Sequence, residues 1–108
     1  MAVKKIDKTE WLTYFDNFSK NFLKDTQPEY AEIRVLSGEM GVQPETGWTL
    51  LKGISYDPKD DVLDISVDKL TRLIFHPAEI NVEQDQNGWV TSIEVTETDG
   101  TKDIIEIR

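Results

Sequence analysis

Trp11, Phe15, Phe18 and Phe22 recur at spacings of four, three and four residues, which places them on one face of an α-helix. Leu12 and Leu23 widen that stripe. Just upstream, Asp7-Lys8-Thr9-Glu10 has the spacing of a capping box. The Asp7 carboxylate can accept from the backbone N–H of Glu10 while the Glu10 side chain reaches back. Ile6 and Trp11 bracket this start as a hydrophobic staple. Lys20 and Lys24 suit the negative pole of the helix dipole. The helix must stop before Gln27-Pro28, because proline disfavours a helical predecessor. The pattern predicts a helix over residues 7–25.

From Tyr30 the period falls to two. Ala31, Ile33 and Val35 alternate with Glu32 and Arg34, the mark of a half-buried strand. Residues 37–47 contain Gly38, Gly41, Pro44 and Gly47 and read as a long loop. A second strand is expected over 48–56, with Trp48, Leu50, Ile54 and Tyr56 on one face and Leu51 on the other. Asp57-Pro58-Lys59-Asp60-Asp61 is turn chemistry. Leu63, Ile65 and Val67 then alternate with Asp64 and Ser66. In the segment 70–75, Leu73 and Phe75 share a face and Ile74 takes the other. After Pro77, Ile80 and Val82 alternate with Asn81 and Glu83. Asp85-Gln86-Asn87-Gly88 and Thr98-Asp99-Gly100-Thr101 read as hairpin loops. Between them Trp89, Thr91, Ile93 and Val95 face one way, and Ile105 and Ile107 close the last strand.

This pattern predicts an α+β fold. An N-terminal amphipathic helix packs on about six short, mainly antiparallel strands that end in a meander. The strands occupy residues 30–108 and form either a curled sheet or a small barrel. The whole chain, 1–108, is expected to be one domain, since a chain of 12.4 kDa buries about two-thirds of its surface on folding.

Three segments carry a resemblance. The first is Ile6-Asp7-Lys8-Thr9-Glu10-Trp11. The second is Gly53-Ile54-Ser55-Tyr56-Asp57-Pro58-Lys59-Asp60-Asp61-Val62-Leu63. The third comprises Phe75-His76-Pro77-Ala78-Glu79-Ile80, Asp99-Gly100-Thr101 and Ile104-Ile105. Together they resemble a family of small uncharacterised bacterial proteins, a domain of unknown function. The resemblance runs from Ile6 to Arg108 and implies a bacterial single-domain protein. It brings no activity, ligand or catalytic residues with it.

Composition narrows the chemistry. The chain has no cysteine, which excludes disulfides, thiolate metal sites and cysteine catalysis. One histidine excludes a multi-histidine metal site within one chain. The net charge of −9 disfavours nucleic acid, whose phosphates need a basic surface. That charge is concentrated in residues 55–108, which carry 5 basic and 13 acidic groups. No apolar run approaches the roughly 17 to 25 residues of a membrane span, and no secretory signal opens the chain. A cytoplasmic location is therefore expected, with no cofactor and no metal.

Candidate chemistry is sparse. Asp57, Asp60, Asp61 and Asp64 cluster, but a calcium loop counted from Asp57 puts Val62 where glycine belongs and Asp68 where glutamate belongs. A solvated turn is the expected reading. His76 precedes Pro77 and reads as the end of a strand; no nucleophile-elbow pattern surrounds any serine. Trp48 and Trp89 each follow a glycine and begin a strand, so each either caps the core or anchors a partner. Leu51, Ile74 and Ile104 are apolar residues on otherwise polar faces, and brought together they make either an exposed apolar patch or the seat of the helix. These five form the candidate interaction surface. The expected function is a non-enzymatic domain that binds a protein or a ligand, as a monomer or a homodimer. The alternative is a small hydrolase or isomerase working through carboxylates and His76. A pocket holding His76 beside a buried carboxylate of raised pKa would favour the enzyme.

Overall fold

The structure, a computed structural model, describes residues 2–22, 29–37, 41–68 and 70–108. In chain order it contains β1 (Ala2–Ile6), a 3₁₀ turn (Lys8–Glu10), α1 (Trp11–Phe22), β2 (Tyr30–Ser37), β3 (Gly41–Asp57), β4 (Val62–Val67), β5 (Leu70–Phe75), β6 (Pro77–Gln84), β7 (Val90–Glu97) and β8 (Lys102–Ile107). The strands form one open, wholly antiparallel sheet in the order β1-β6-β7-β8-β2-β3-β4-β5. The expected C-terminal meander is β6-β7-β8, and its two hairpins carry Gly88 and Gly100 at φ 85° and 92°. Those angles suit glycine because a Cβ would clash with the local backbone.

One face of the sheet turns inward. Ala31 and Ile33, Leu63, Ile65 and Val67, Ile80 and Val82, Ile93 and Val95, and Ile105 and Ile107 are all buried in a single apolar cluster. The period-two pattern of these strands is the physical cause, since alternate side chains share a face. The sheet curls, because Arg72 on the terminal strand β5 reaches back to Asp103 on β8.

Trp11, Phe15 and Phe18 carry α1 into the same cluster. The helix lies along β3, in the region where β2 has ended: the β2–β3 pairing runs only from Tyr30/Leu50 to Ser37/Gly41. Ser19 takes over there. Its hydroxyl donates to the Ile54 carbonyl at 2.8 Å and accepts from the Ile54 N–H at 3.3 Å. Trp11 stands edge-on to Tyr56 at 5.1 Å, and its indole N–H donates to the Ile6 carbonyl at 2.9 Å. Ile6 and Trp11, the expected staple pair, are both buried.

Several expectations are corrected. Residues 2–6 form an unforeseen strand, β1, and there are eight strands among the described residues rather than about six. The long loop expected over 37–47 is mostly strand: β3 starts at Gly41, paired with Ser37. Pro44 is tolerated because this half of β3 has β2 on one side only, so the missing N–H is not needed by a second neighbour. A bulge between Leu51 and Gly53 reverses the facing of β3, so Leu51, Ile54 and Tyr56 are buried while Trp48 is 37% exposed. On β5 the inner residue is Ile74, and Leu73 and Phe75 face out. An irregularity near Gln84 and Val90 does the same on β7, where Val90 rather than Trp89 or Thr91 is buried. Leu12 is exposed. Leu23 and the predicted helix end at 23–25 lie outside the described residues.

The capping box is absent. Asp7 makes no side-chain cap bond, and its backbone carbonyl instead accepts from the Glu10 N–H at 2.8 Å. Replacing Asp7 by Ala is therefore expected to change stability by less than about 0.5 kcal/mol, as at an ordinary surface position. Phe15→Ala should cost about 3 to 5 kcal/mol. Ser19→Ala, which strips both Ile54 backbone groups of a partner, should cost about 1 to 3 kcal/mol. Urea denaturation of the three variants checks this ranking.

Candidate functional site

Three groups of side chains carry chemistry. The first lies inside the sheet. Arg72 projects inward from β5, between Leu70 and Ile74 on the same face. Its Nε and Nη2 donate to Asp103 Oδ1 at 3.2 and 2.9 Å. Asp103, at the start of β8, is fully buried. Glu97, at the end of β7, has Oε2 3.6 Å from Arg72 Nη2. Asp103 Oδ2 and Glu97 Oε2 are buried and have no N–H or O–H donor. The Asp103 carboxyl, followed by burial, pushes Glu97 up to about 7. Arg72 opposes the shift and Asp99 adds to it. Sequence alternation does not reveal this group, because Arg72, Glu97 and Asp103 occupy ordinary strand positions and meet only when β5 folds over β7 and β8.

The second group surrounds Asp61. The Tyr56 hydroxyl donates to Asp61 Oδ1 at 2.6 Å, His76 Nδ1 lies 3.1 Å from Oδ2, and Lys8 Nζ lies 3.5 Å from Oδ1. The backbone ties the same residues together, with the His76 N–H donating to the Asp61 carbonyl at 2.8 Å. Asp61 and His76 both have positive φ, 52° and 54°. Asp61 closes the β3–β4 turn and His76 is the corner between β5 and β6. The Tyr56 bond, with help from His76 and Lys8 and against burial, holds the Asp61 carboxyl below the usual range. Burial first, then Asp61, pushes Tyr56 up to about 12. Two other aspartates of the sequence cluster are engaged separately: Asp57 accepts from the Lys59 N–H and Asp64 from the Ser66 hydroxyl. Among the described residues no three His, Asp or Glu side chains converge as a metal cage. Beside this group, a cleft of about 460 Å³ separates the β1–α1 connection from the start of β6. Its lysines are paired, Lys5 with Glu79 at 3.2 Å and Lys8 with Asp61. His76 does not line it, and Glu97 belongs to the other group.

The third group is on the outer face, where β8 ends. The Arg108 guanidinium stacks over the Trp48 ring at 3.9 Å. Arg108 and Tyr30 exchange two backbone hydrogen bonds, and Trp89 precedes β7 at the same end of the sheet. Tyr30, Trp48 and Trp89 are 44%, 37% and 42% exposed. Of the five candidate surface residues, the structure thus brings Trp48 and Trp89 to one end. Ile104 is half-buried between Arg34 and Glu94 on neighbouring strands. Leu51 and Ile74 are in the core, and their expected place on a surface is corrected. The bulge in β3 explains Leu51; the inward turn of β5 explains Ile74. Tyr30 and Arg108 lacked a sequence signal beyond being aromatic and basic at strand ends.

The interior pair sets a pH response. Glu97 keeps in the folded state a proton that the unfolded chain releases near 4.5, so stability should fall as pH rises from about 4.5 towards about 7. Glu97→Gln should flatten that slope. Thermal melts of both proteins across this range check it. Arg72→Met should destabilise at neutral pH by about 3 to 5 kcal/mol, since it leaves Asp103 buried without its cation. Calcium titration by calorimetry should show no stoichiometric event at residues 57–64.

A protein of Aquifex aeolicus (strain VF5) named only as uncharacterized is 42% identical over 109 residues, covering all of this chain and 94% of that protein. No solved structure matches. The model of the family of unknown function DUF5335 matches residues 2–108, and the chain belongs to that family.

Proposed function

We propose that this protein is a non-enzymatic binding domain of the bacterial cytoplasm, and that it holds a protein partner at the end of the sheet formed by Tyr30, Trp48, Trp89 and Arg108. The observation that carries this reading is the stacking of the Arg108 guanidinium on a solvent-exposed Trp48 beside two further exposed aromatics. Tryptophan, tyrosine and arginine are the residue types that dominate binding hot spots, because they bury much area at low entropic cost. A cation held against an aromatic face is already positioned for a carboxylate or carbonyl of the partner. No described helix is long and apolar enough to cross a membrane. The hydrolase alternative lacks the constellation it needs, since His76 and the carboxylate of raised pKa stand in different groups.

A photo-reactive phenylalanine analogue in place of Tyr30, expressed in the native host, is expected to cross-link a defined protein. The same label in place of Leu12, which is exposed on α1, should not. Adding Trp48→Ala and Trp89→Ala should abolish the product with little loss of stability, both rings being over one-third exposed. A product that survives the double replacement, or that forms equally from position 12, refutes the assignment.

A further inference from the structure

We propose that β5 is a dimerisation edge that pairs, antiparallel, with β5 of a second copy of this chain. β5 ends the sheet and, among the described residues, pairs only with β4. The His76 N–H donates to the Asp61 carbonyl, which makes 61/76 a hydrogen-bonded pair in the same register that runs from Val62/Phe75 to Val67/Leu70. Hydrogen-bonded and non-bonded pairs alternate in an antiparallel ladder. Ile74, Arg72 and Leu70 therefore turn their backbone groups to β4, and Phe75, Leu73 and Thr71 turn theirs to the open edge. The side chains of these three residues stand on the outer face, where Leu73 is 44% and Phe75 57% exposed.

Sheet edges are normally blunted by charge, proline or a bulge. The opposite edge is: β1 carries Lys4 and Lys5. β5 is not. Its register with β4 has no shift, and its outer face carries no charge. Arg72, its one charged residue, is bound inward to Asp103. Residues 69–78 contain no Asp or Glu, the longest such run in a C-terminal half that carries 13 of them. Two copies of a −9 chain repel over most approaches, and this strand lets them meet without opposed carboxylates. The strand is also self-complementary. A two-fold axis at Leu73 sets Leu73 against Leu73 of the second copy and Phe75 against Thr71 in both directions, so all three outward-facing residues become hydrogen-bonded pairs. That contact closes on itself, whereas β1 against β5 would continue head-to-tail.

The chain has no cysteine, so Leu73→Cys introduces a single thiol on the proposed axis. Opposed Cα atoms there would be about 5.5 Å apart, within the span of a disulfide. Sedimentation equilibrium of the full chain should show a mass rising with concentration from 12.4 kDa to twice that and no further. Leu73→Lys should remain at the single-chain mass with cooperative unfolding retained, and Leu73→Cys should form a disulfide dimer on mild oxidation in preference to Val3→Cys on β1. A wild-type mass that never rises together with no preferential Leu73→Cys dimer overturns the proposal. So does association that is equal in Leu73→Lys, or that passes beyond two chains with Val3→Cys cross-linking instead. The cross-link decides the matter independently of any stability loss in Leu73→Lys.

Discussion

The contact between Arg72 and Asp103 decides how this sheet closes. β5 and β8 are four strands apart in the sheet, yet the guanidinium of one bonds the fully buried carboxylate of the other. Apolar burial alone would let the two halves of the curled sheet slide, because one isoleucine packs on another in many registers. A buried charge pair tolerates one arrangement. Such pairs add little net stability after desolvation, and their better-attested role is to specify register. Here the pair selects which residues of β5 sit over β7 and β8. It also points Arg72 inward, and that sets Thr71, Leu73 and Phe75 on the outside.

The helix completes what the curl leaves open. β2 begins only at Tyr30, opposite Leu50, and past Leu50 the long strand β3 has β4 on one side and α1 on the other. Ser19 supplies the donor and acceptor that a neighbouring strand would have given Ile54, while Trp11, Phe15 and Phe18 fill the cluster from that side. The bulge at Leu51–Gly53 allows this exchange, since it turns β3 from one neighbour set to the other. Local strain gathers at the adjoining corners. Asp61 and His76 take positive φ and are tied together by backbone and side chain, so two chain reversals share one anchor.

Charge organises the surface. On β2, β7 and β8 the outer face is a lattice of opposite pairs, among them Arg34 with Glu32 and Glu106, and Lys102 with Glu94. Two places break that pattern. One is the aromatic end around Trp48 and Arg108; the other is the outer face of β5, which carries no charge. They lie on different strands and would serve different contacts. A dimer through β5 would leave the aromatic ends of both copies available to partners.

Strands whose alternation is uninterrupted are legible in the sequence alone. Leu63, Ile65 and Val67, Ile80 and Val82, and Ile105 and Ile107 alternate strictly and are buried as that alternation implies. The helix was legible for the same reason, from Trp11, Phe15 and Phe18 at helical spacing. Facing departs from the sequence pattern wherever one extra residue reverses it, at Leu51 and at Trp89, because a bulge leaves the composition of a strand unchanged. On β5 the sequence leaves facing open because Leu73-Ile74-Phe75 is apolar on both faces, and only the partner across the interior chooses between them. β1 and the first half of β3 escaped notice because each is stabilised by pairing to a remote segment rather than by its own pattern. The interior charge group lies furthest from the sequence. Arg72, Glu97 and Asp103 are brought together only by the curl, so their meeting was decided by tertiary structure alone.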